Sequence, residues 1–153
     1  MTEFRSRAVR SMVALHAAEL RAFVATWKRF VAAGKPMPEA GGDADYESPE
    51  RLVAHVQGSA RSYLLWVFEV LGRPIEGLEL IRDPAIIVPR LDEFMEETLA
   101  GWERHLAGLE NDELGPAQHK SRWGDPYMID QMLEHAIVHP MRHRIQLERI
   151  LAD

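Results

Sequence analysis

The chain of 153 residues contains no cysteine. This excludes disulfide bonds, thiolate metal ligands and a cysteine nucleophile, so any thiol chemistry requires a thiol from outside the chain. The sequence also lacks an apolar run near the roughly 18 residues that span a bilayer, which argues against a membrane protein. Residues 1–7 mix acidic and basic side chains with no apolar core after them. We therefore expect no signal peptide and a cytoplasmic location.

Basic residues are in the minority. The chain has 18 Lys and Arg residues and 24 Asp and Glu residues, and the net charge is −6. Nucleic acids and anionic membrane surfaces favour basic patches, so neither is an expected partner. Apolar residues make up 46% and charged residues 27%, which is typical of a globular protein. The length predicts one domain covering residues 1–153.

No segment alternates apolar and polar residues with period two, so no β-sheet is predicted. Four long stretches instead show the helical period. Their predicted starts are Thr2, Ser48-Pro49, Pro89 and Asp125-Pro126, and the first three end near Gly34, Leu71 and Gly108. The fold class predicted from this pattern is all-α, a four-helix bundle with a long, irregular crossover at residues 75–88 between the second and third helices.

Three histidines in the last helix, His135, His139 and His143, follow each other at intervals of four residues. Residues four apart lie on one face of a helix. On a helical wheel His143 falls inside the apolar sector and His139 on its edge, whereas His135 lies on the polar shoulder. His55 lies at the margin of the apolar face of the second helix. One histidine from helix two and two from helix four would make a three-histidine metal site with a coordination position left for water or substrate, as in catalytic zinc sites.

Two alternatives to this interpretation remain open at the level of sequence. With seven histidines in the chain, a pair four residues apart arises easily by chance, and an inward histidine can be a hydrogen-bonded core residue. Pro140, between the two candidate ligands, removes a backbone donor. It either aims the two rings at one point or is a tolerated kink. The remaining histidines are expected to be ordinary, two on helices among polar neighbours and one in a loop: His16, His105 and His119.

The run from His139 to Gln146 reads H-P-M-R-H-R-I-Q. It resembles the motif H-x-x-x-H-R-x-Q of the DinB/YfiT-like metalloprotein superfamily. His55 matches a histidine early in the second helix of that family, and His135 matches a non-ligating histidine one turn before the pair. Residues 125–127, D-P-Y, are also similar. The resemblance covers the whole chain in length and helix order, but Pro140 departs from a position that is more often polar.

The resemblance implies a bundle with up-up-down-down connectivity, in which His55, His139 and His143 hold a divalent transition metal ion, zinc or nickel. Characterised relatives include S-transferases and isomerases that use mycothiol, bacillithiol or glutathione, and many form homodimers. The implied partners are a small-molecule thiol and an electrophilic substrate. Three imidazoles by themselves suit zinc, nickel, copper and iron alike.

Residues around the pair suggest a pocket. Gln146, one turn beyond His143, is placed to hydrogen-bond a ligand ring. Arg142 and Arg144 are candidates for binding an anionic substrate group, although Arg144 is better placed for helix packing or an ion pair. Trp66 and Tyr127 are expected either to line the pocket or to belong to the core.

Three functions fit the sequence. A metal ion acidifies a bound thiol, which predicts an S-transferase, and it acidifies bound water in the same way, which predicts a hydrolase. A zincin protease is not expected, because no H-E-x-x-H motif is present. The non-catalytic alternative is a metal-binding or stress-related bundle in which the ion joins helices two and four.

Overall fold

The computed structural model describes residues 1–39 and 41–153, and helices dominate it. The helices are α1 (Arg7–Ala33), α2 (Pro49–Val70), the short α3 (Pro84–Ile87), α4 (Leu91–Leu106) and α5 (Ile129–Ala152). Short 3₁₀ turns lie at Ala44–Tyr46, Val88–Arg90 and Asn111–Glu113. The all-α prediction is confirmed. In the described part of the chain, every helix is too short or too polar to cross a membrane.

Helix starts follow the capping chemistry, with two corrections to the prediction. The cap of α1 is Ser6 and not Thr2, because the Ser6 hydroxyl accepts the Val9 N–H. Ser48 caps α2 as predicted, with Pro49 in the first turn. The third long helix begins at Leu91, because Pro89 lies in the 3₁₀ turn before it.

The prediction of no β-structure is wrong in one place. Strand β1 (His119–Lys120) pairs antiparallel with strand β2 (Pro126–Tyr127). Helix α5 therefore starts at Ile129 and not at Asp125-Pro126. The Met128 N–H donates to the side chain of Gln131 in the first turn of α5, and no side chain at the N-cap position accepts from the helix as the aspartate was expected to do.

Side-chain contacts fix the direction of each long helix. In the contacts between α1 and α5, the residue numbers increase in the same direction along both helices, so these helices are parallel. The contacts are Glu19 with Arg144 and Thr26 with Glu148. Pairs between α1 and α4 run in opposite senses, and so do those between α2 and α5: Arg21 with Glu96, Lys28 with Asp92, His55 with His139 and Tyr63 with His135. The order of the four long helices is up-down-down-up. The predicted up-up-down-down order is wrong.

The crossover between α2 and α4 explains this order. It runs back along α2, where the Arg61 guanidinium donates to the Glu79 carbonyl. Further along, the chain comes so close to α2 that a Cβ at Gly58 would lie 2.7 Å from Cγ of Arg82 and 3.0 Å from the Ile81 carbonyl oxygen. Because the crossover returns toward the end where α2 began, α4 runs parallel to α2.

Two apolar clusters fill the bundle. One contains Phe23, Phe30 and Leu52, and the other contains Trp102 and Met132. On α5, the segment with His139 and His143 lies between Ala136, in the second cluster, and Leu147, in the first. The two histidines are thus held by packed helix on both sides.

Candidate metal centre

Three histidines from two helices converge at one point of the bundle. The ligand nitrogens of His55, His139 and His143 all lie within 4.8 Å of one another. Nε2 of His55 is 2.9 Å from Nε2 of His139. His139 and His143 are both 5% exposed, and His55 is partly exposed. The structure therefore brings together the three residues that the sequence singled out as ligands.

The geometry follows from two features of the helices. His139 and His143 are one turn apart on α5, and their rings lie 4.9 Å apart, centroid to centroid. The antiparallel α2 presents His55 to both, at 4.8 Å from the His139 ring and 5.5 Å from the His143 ring. Helix α5 continues through Pro140, which is buried.

The site strongly favours neutral imidazoles. Burial lowers the pKa of His139 to about 2, with further lowering from His143 and His55. Burial also lowers the pKa of His143 to about 4, and it lowers that of His55. Neutral imidazole nitrogens are the form that binds a metal ion, so the unprotonated ligand set is already present at neutral pH.

Two residues that the sequence analysis missed support the ligands. Oδ2 of Asp45 lies 3.0 Å from Nδ1 of His55, and the Tyr46 hydroxyl lies 3.5 Å from Nδ1 of His143. Both belong to the 3₁₀ turn before α2, where the Asp43 carboxylate accepts the Asp45 N–H. An acid on the far nitrogen of a histidine fixes the tautomer that leaves Nε2 free for a metal. The signal in the sequence was the D-A-D-Y run close before the helix that carries His55.

Replacing Asp45 by asparagine is expected to weaken metal binding about 10- to 100-fold, because an amide orients His55 without making its ring more basic. The affinity is measured by competition with a chromophoric chelator. Glu47→Gln, which removes the same charge from an exposed side chain two residues away, is the matched control and should retain the wild-type affinity. Equal affinities for the Asp45→Asn variant and wild type would remove Asp45 from the site.

The residues present fit a divalent transition metal ion. All the ligand atoms are nitrogens, and the pKa values of the three rings are lowered, so the rings are neutral at neutral pH. Nitrogens that share a tetrahedral zinc ion lie about 3.3 Å apart for bonds of about 2.0 Å. The 2.9 Å separation of the His55 and His139 nitrogens is close to that value.

The predicted pocket residues divide into two groups. Gln146 and Arg142 line a cavity of about 500 Å³ together with His143, and interaction with Gln146 partly offsets the lowering of the His143 pKa by burial. Trp66 and Tyr127 lie outside the lining of this cavity. The Trp66 indole donates to the Lys120 carbonyl, which ties α2 to β1.

Tyr127 belongs to an aromatic cluster beside the site. Its ring is 5.8 Å from that of His135, which also contacts Tyr63 and Trp123 at 5.2 and 5.1 Å. His135 thus packs among aromatic side chains and lies outside the three-histidine group, as its place on the helical wheel predicted.

The remaining predictions for single residues can now be compared with the structure. Arg144 forms ion pairs with Glu19 and Glu148, as its position on the helix favoured. His16 was expected among polar neighbours, and this is wrong. It is fully buried, and its ring stacks on Trp102 at 3.7 Å between centroids. The sequence analysis missed the burial of His16 because α1 is covered on two sides, by α4 and α5.

No protein-family model, curated protein or solved structure matches this chain. The geometry of the three histidines and of the cavity beside them therefore carries the functional argument.

Proposed function

We propose that this protein binds a divalent transition metal ion, zinc or nickel, through His55, His139 and His143, and that it transfers a low-molecular-weight thiol to an electrophilic substrate. The observation that carries the proposal is the convergence of three neutral imidazoles, from two helices, within 4.8 Å. Three protein ligands leave a coordination position for a reactant, which is typical of catalytic rather than structural sites.

When bound, such a cation lowers the pKa of a thiol in contact with it, so that the thiolate forms near neutral pH. The chain has no cysteine, so the thiol comes from a cosubstrate. Asp45 orients His55, and the Tyr46 hydroxyl contacts His143. Since His143 lines the cavity, a small molecule in the cavity lies next to the ligand set.

Membership in the DinB/YfiT-like superfamily is part of the same proposal. It is supported by the H-x-x-x-H-R-x-Q run in α5 and by His55 in α2, whereas the up-down-down-up order of the long helices differs from the order that the resemblance implied. A homodimer, as in many members of that family, is proposed on the resemblance alone.

The test is a transferase assay with the metal-loaded protein. Zinc- and nickel-loaded samples are mixed with mycothiol, bacillithiol or glutathione and with a chlorodinitrobenzene, and formation of the thioether is followed by absorbance. Turnover that is lost on chelation and in the His143→Ala variant is expected. Metal-loaded protein that turns over none of these thiol and electrophile pairs would contradict the transferase proposal.

A non-catalytic role is the second candidate. It is favoured by the fact that the ligands join α2 to α5, two helices far apart in the sequence. In this case chelation should lower the melting temperature by many degrees, because the ion binds only the folded chain. A hydrolase is the third outcome, and it would appear as metal-dependent cleavage of an activated ester without any thiol.

A further inference from the structure

The cavity beside His143 has a lining that indicates what it binds. Its volume of about 500 Å³ is within the usual range for small-molecule sites. The lining combines apolar side chains with two guanidinium groups: Val138, Met141 and Ile145, with Arg142 and Arg149. Tyr46 and His143 form the wall toward the metal centre.

Two of the apolar residues in the lining are exposed to solvent. Val138 is 47% exposed and Ile145 is 37% exposed, and they lie two turns apart on one face of α5. Together with Met141 they offer a short hydrophobic strip along the helix. Such a strip beside a cavity is typical of a surface that contacts the apolar part of a ligand.

In the described part of the chain, Arg142 and Arg149 have no carboxylate partner. Eight of the fifteen arginines form ion pairs, but across residues 1–39 and 41–153 no carboxylate lies within pairing distance of these two. They are seven residues apart, and so lie on the same face of α5 as the strip. Arg142 lines the cavity together with His143, one of the three proposed ligands, so this arginine and the metal site border the same space.

The geometry points to a small organic carboxylate as the occupant of this cavity, with its carboxylate held by Arg142 and Arg149 and its apolar part on Val138, Met141 and Ile145. An arginine binds a carboxylate through paired, charge-assisted hydrogen bonds, and the positive charge of two free arginines selects an anion over a neutral molecule of the same shape. This inference rests on the proposed function in one respect: the bound acid would be the substrate, or the cosubstrate, of the neighbouring metal centre.

The experiment compares two probes of nearly the same shape, hexanoate and hexanamide, on isotope-labelled full-length protein by NMR titration at constant ionic strength. Hexanoate is expected to shift the amide signals of residues 138–149 and to bind at least about tenfold more tightly than hexanamide. Arg149→Gln should reduce this preference to nearly one. Arg142→Gln provides a second variant with the same expected result, should the first fail to fold.

Arg7→Gln is the matched control, because Arg7 is exposed, has no ion pair in the described structure and lies at the start of α1. It should retain the preference for hexanoate. The inference would be overturned if the two probes bound equally or if the shifts were confined to other surfaces. It would also be overturned if light scattering showed a dimer and this face, buried in that dimer, did not bind the probe.

Metal content, measured in parallel, separates this inference from the proposed function. The titration is run on metal-free and metal-loaded protein, and Arg149→Gln is expected to bind metal as wild type does. A protein that binds metal but shows no preference for hexanoate contradicts only the carboxylate site. A protein that prefers hexanoate but binds no metal supports the carboxylate site and contradicts the proposed function.

Discussion

Replacing His139 by alanine is expected to abolish stoichiometric metal binding. The His139 ring is buried and lies 4.8 Å from that of His55 and 4.9 Å from that of His143, centroid to centroid. The loss of one ligand out of three should weaken the affinity by more than about 100-fold, because even the loss of a supporting hydrogen bond to a ligand costs 10- to 100-fold. The metal content per chain, measured by mass spectrometry after gel filtration, should fall from about one to background.

The matched control is His135→Ala. It removes the same ring from the same helix one turn earlier, outside the three-histidine group. This variant should retain its metal. Because truncation of a buried ring leaves a cavity, His139→Gln is included as a variant of closer volume that lacks the imidazole. A full complement of metal in both His139 variants would show that the ion binds elsewhere.

The second large expected effect is a loss of folding stability at acidic pH that is caused by His16. The imidazole is fully buried and stacked on Trp102, and neither ring nitrogen has a hydrogen-bond partner in the described part of the structure. Burial lowers its pKa from 6.5 to about 3. The folded protein therefore holds this ring neutral over a pH range in which the unfolded chain binds a proton.

The direction of the pH effect follows from this difference in proton binding. Between pH 6.5 and about 3 the unfolded state takes up a proton that the folded state does not, so the free energy of unfolding falls as the pH falls. The slope from this one group approaches 1.4 kcal/mol per pH unit, and the contribution is fully retained above pH 6.5. Between pH 7 and pH 5, the difference in proton binding at His16 should lower the free energy of unfolding by about 2 kcal/mol.

Urea unfolding of the metal-free protein at several pH values measures the effect. His139 and His143 add to the same slope because their pKa values are also lowered, so the difference between wild type and His16→Phe isolates His16. The phenylalanine retains the ring on Trp102 and removes two unpaired buried nitrogens. This variant should therefore be more stable at pH 7 by about 1–3 kcal/mol, and the gain should increase toward pH 5.

A second variant, His16→Gln, loses the ring but also cannot titrate in this range. Its slope against pH should equal that of His16→Phe, whatever its stability at pH 7. Parallel pH profiles for wild type and both variants would contradict the assignment of acid sensitivity to this residue.

Several parts of the molecule could be predicted from local patterns. The caps at Ser48 and Gly34 bound their helices as expected, because capping depends on a few neighbouring backbone groups. His139 and His143 were identified as inward-facing ligand candidates because the helical period puts both on one stripe. The crossover after α2 was predicted because a long, irregular connection does not force neighbouring helices to be antiparallel.

Other parts depend on contacts between segments that are far apart in the sequence, and local sequence patterns do not predict such contacts. Asp45 reaches His55 only because a 3₁₀ turn folds over the start of α2. His16 is buried because α4 and α5 cover α1, with Trp102 of α4 stacked on its ring. The short ladder between β1 and β2 forms from two-residue strands, too short to show a period.

What the sequence by itself determined was the set of helices and the pair His139 and His143, because both follow from the spacing of residues along one helix. The direction of the helices, the approach of His55 and the cavity with its two unpaired arginines were decided by the tertiary structure. The helix directions follow from the crossover that packs on Gly58, His55 approaches because α2 runs antiparallel to α5, and the cavity forms where Tyr46 meets α5. The free energy of such packing depends on surfaces that meet only in the folded chain.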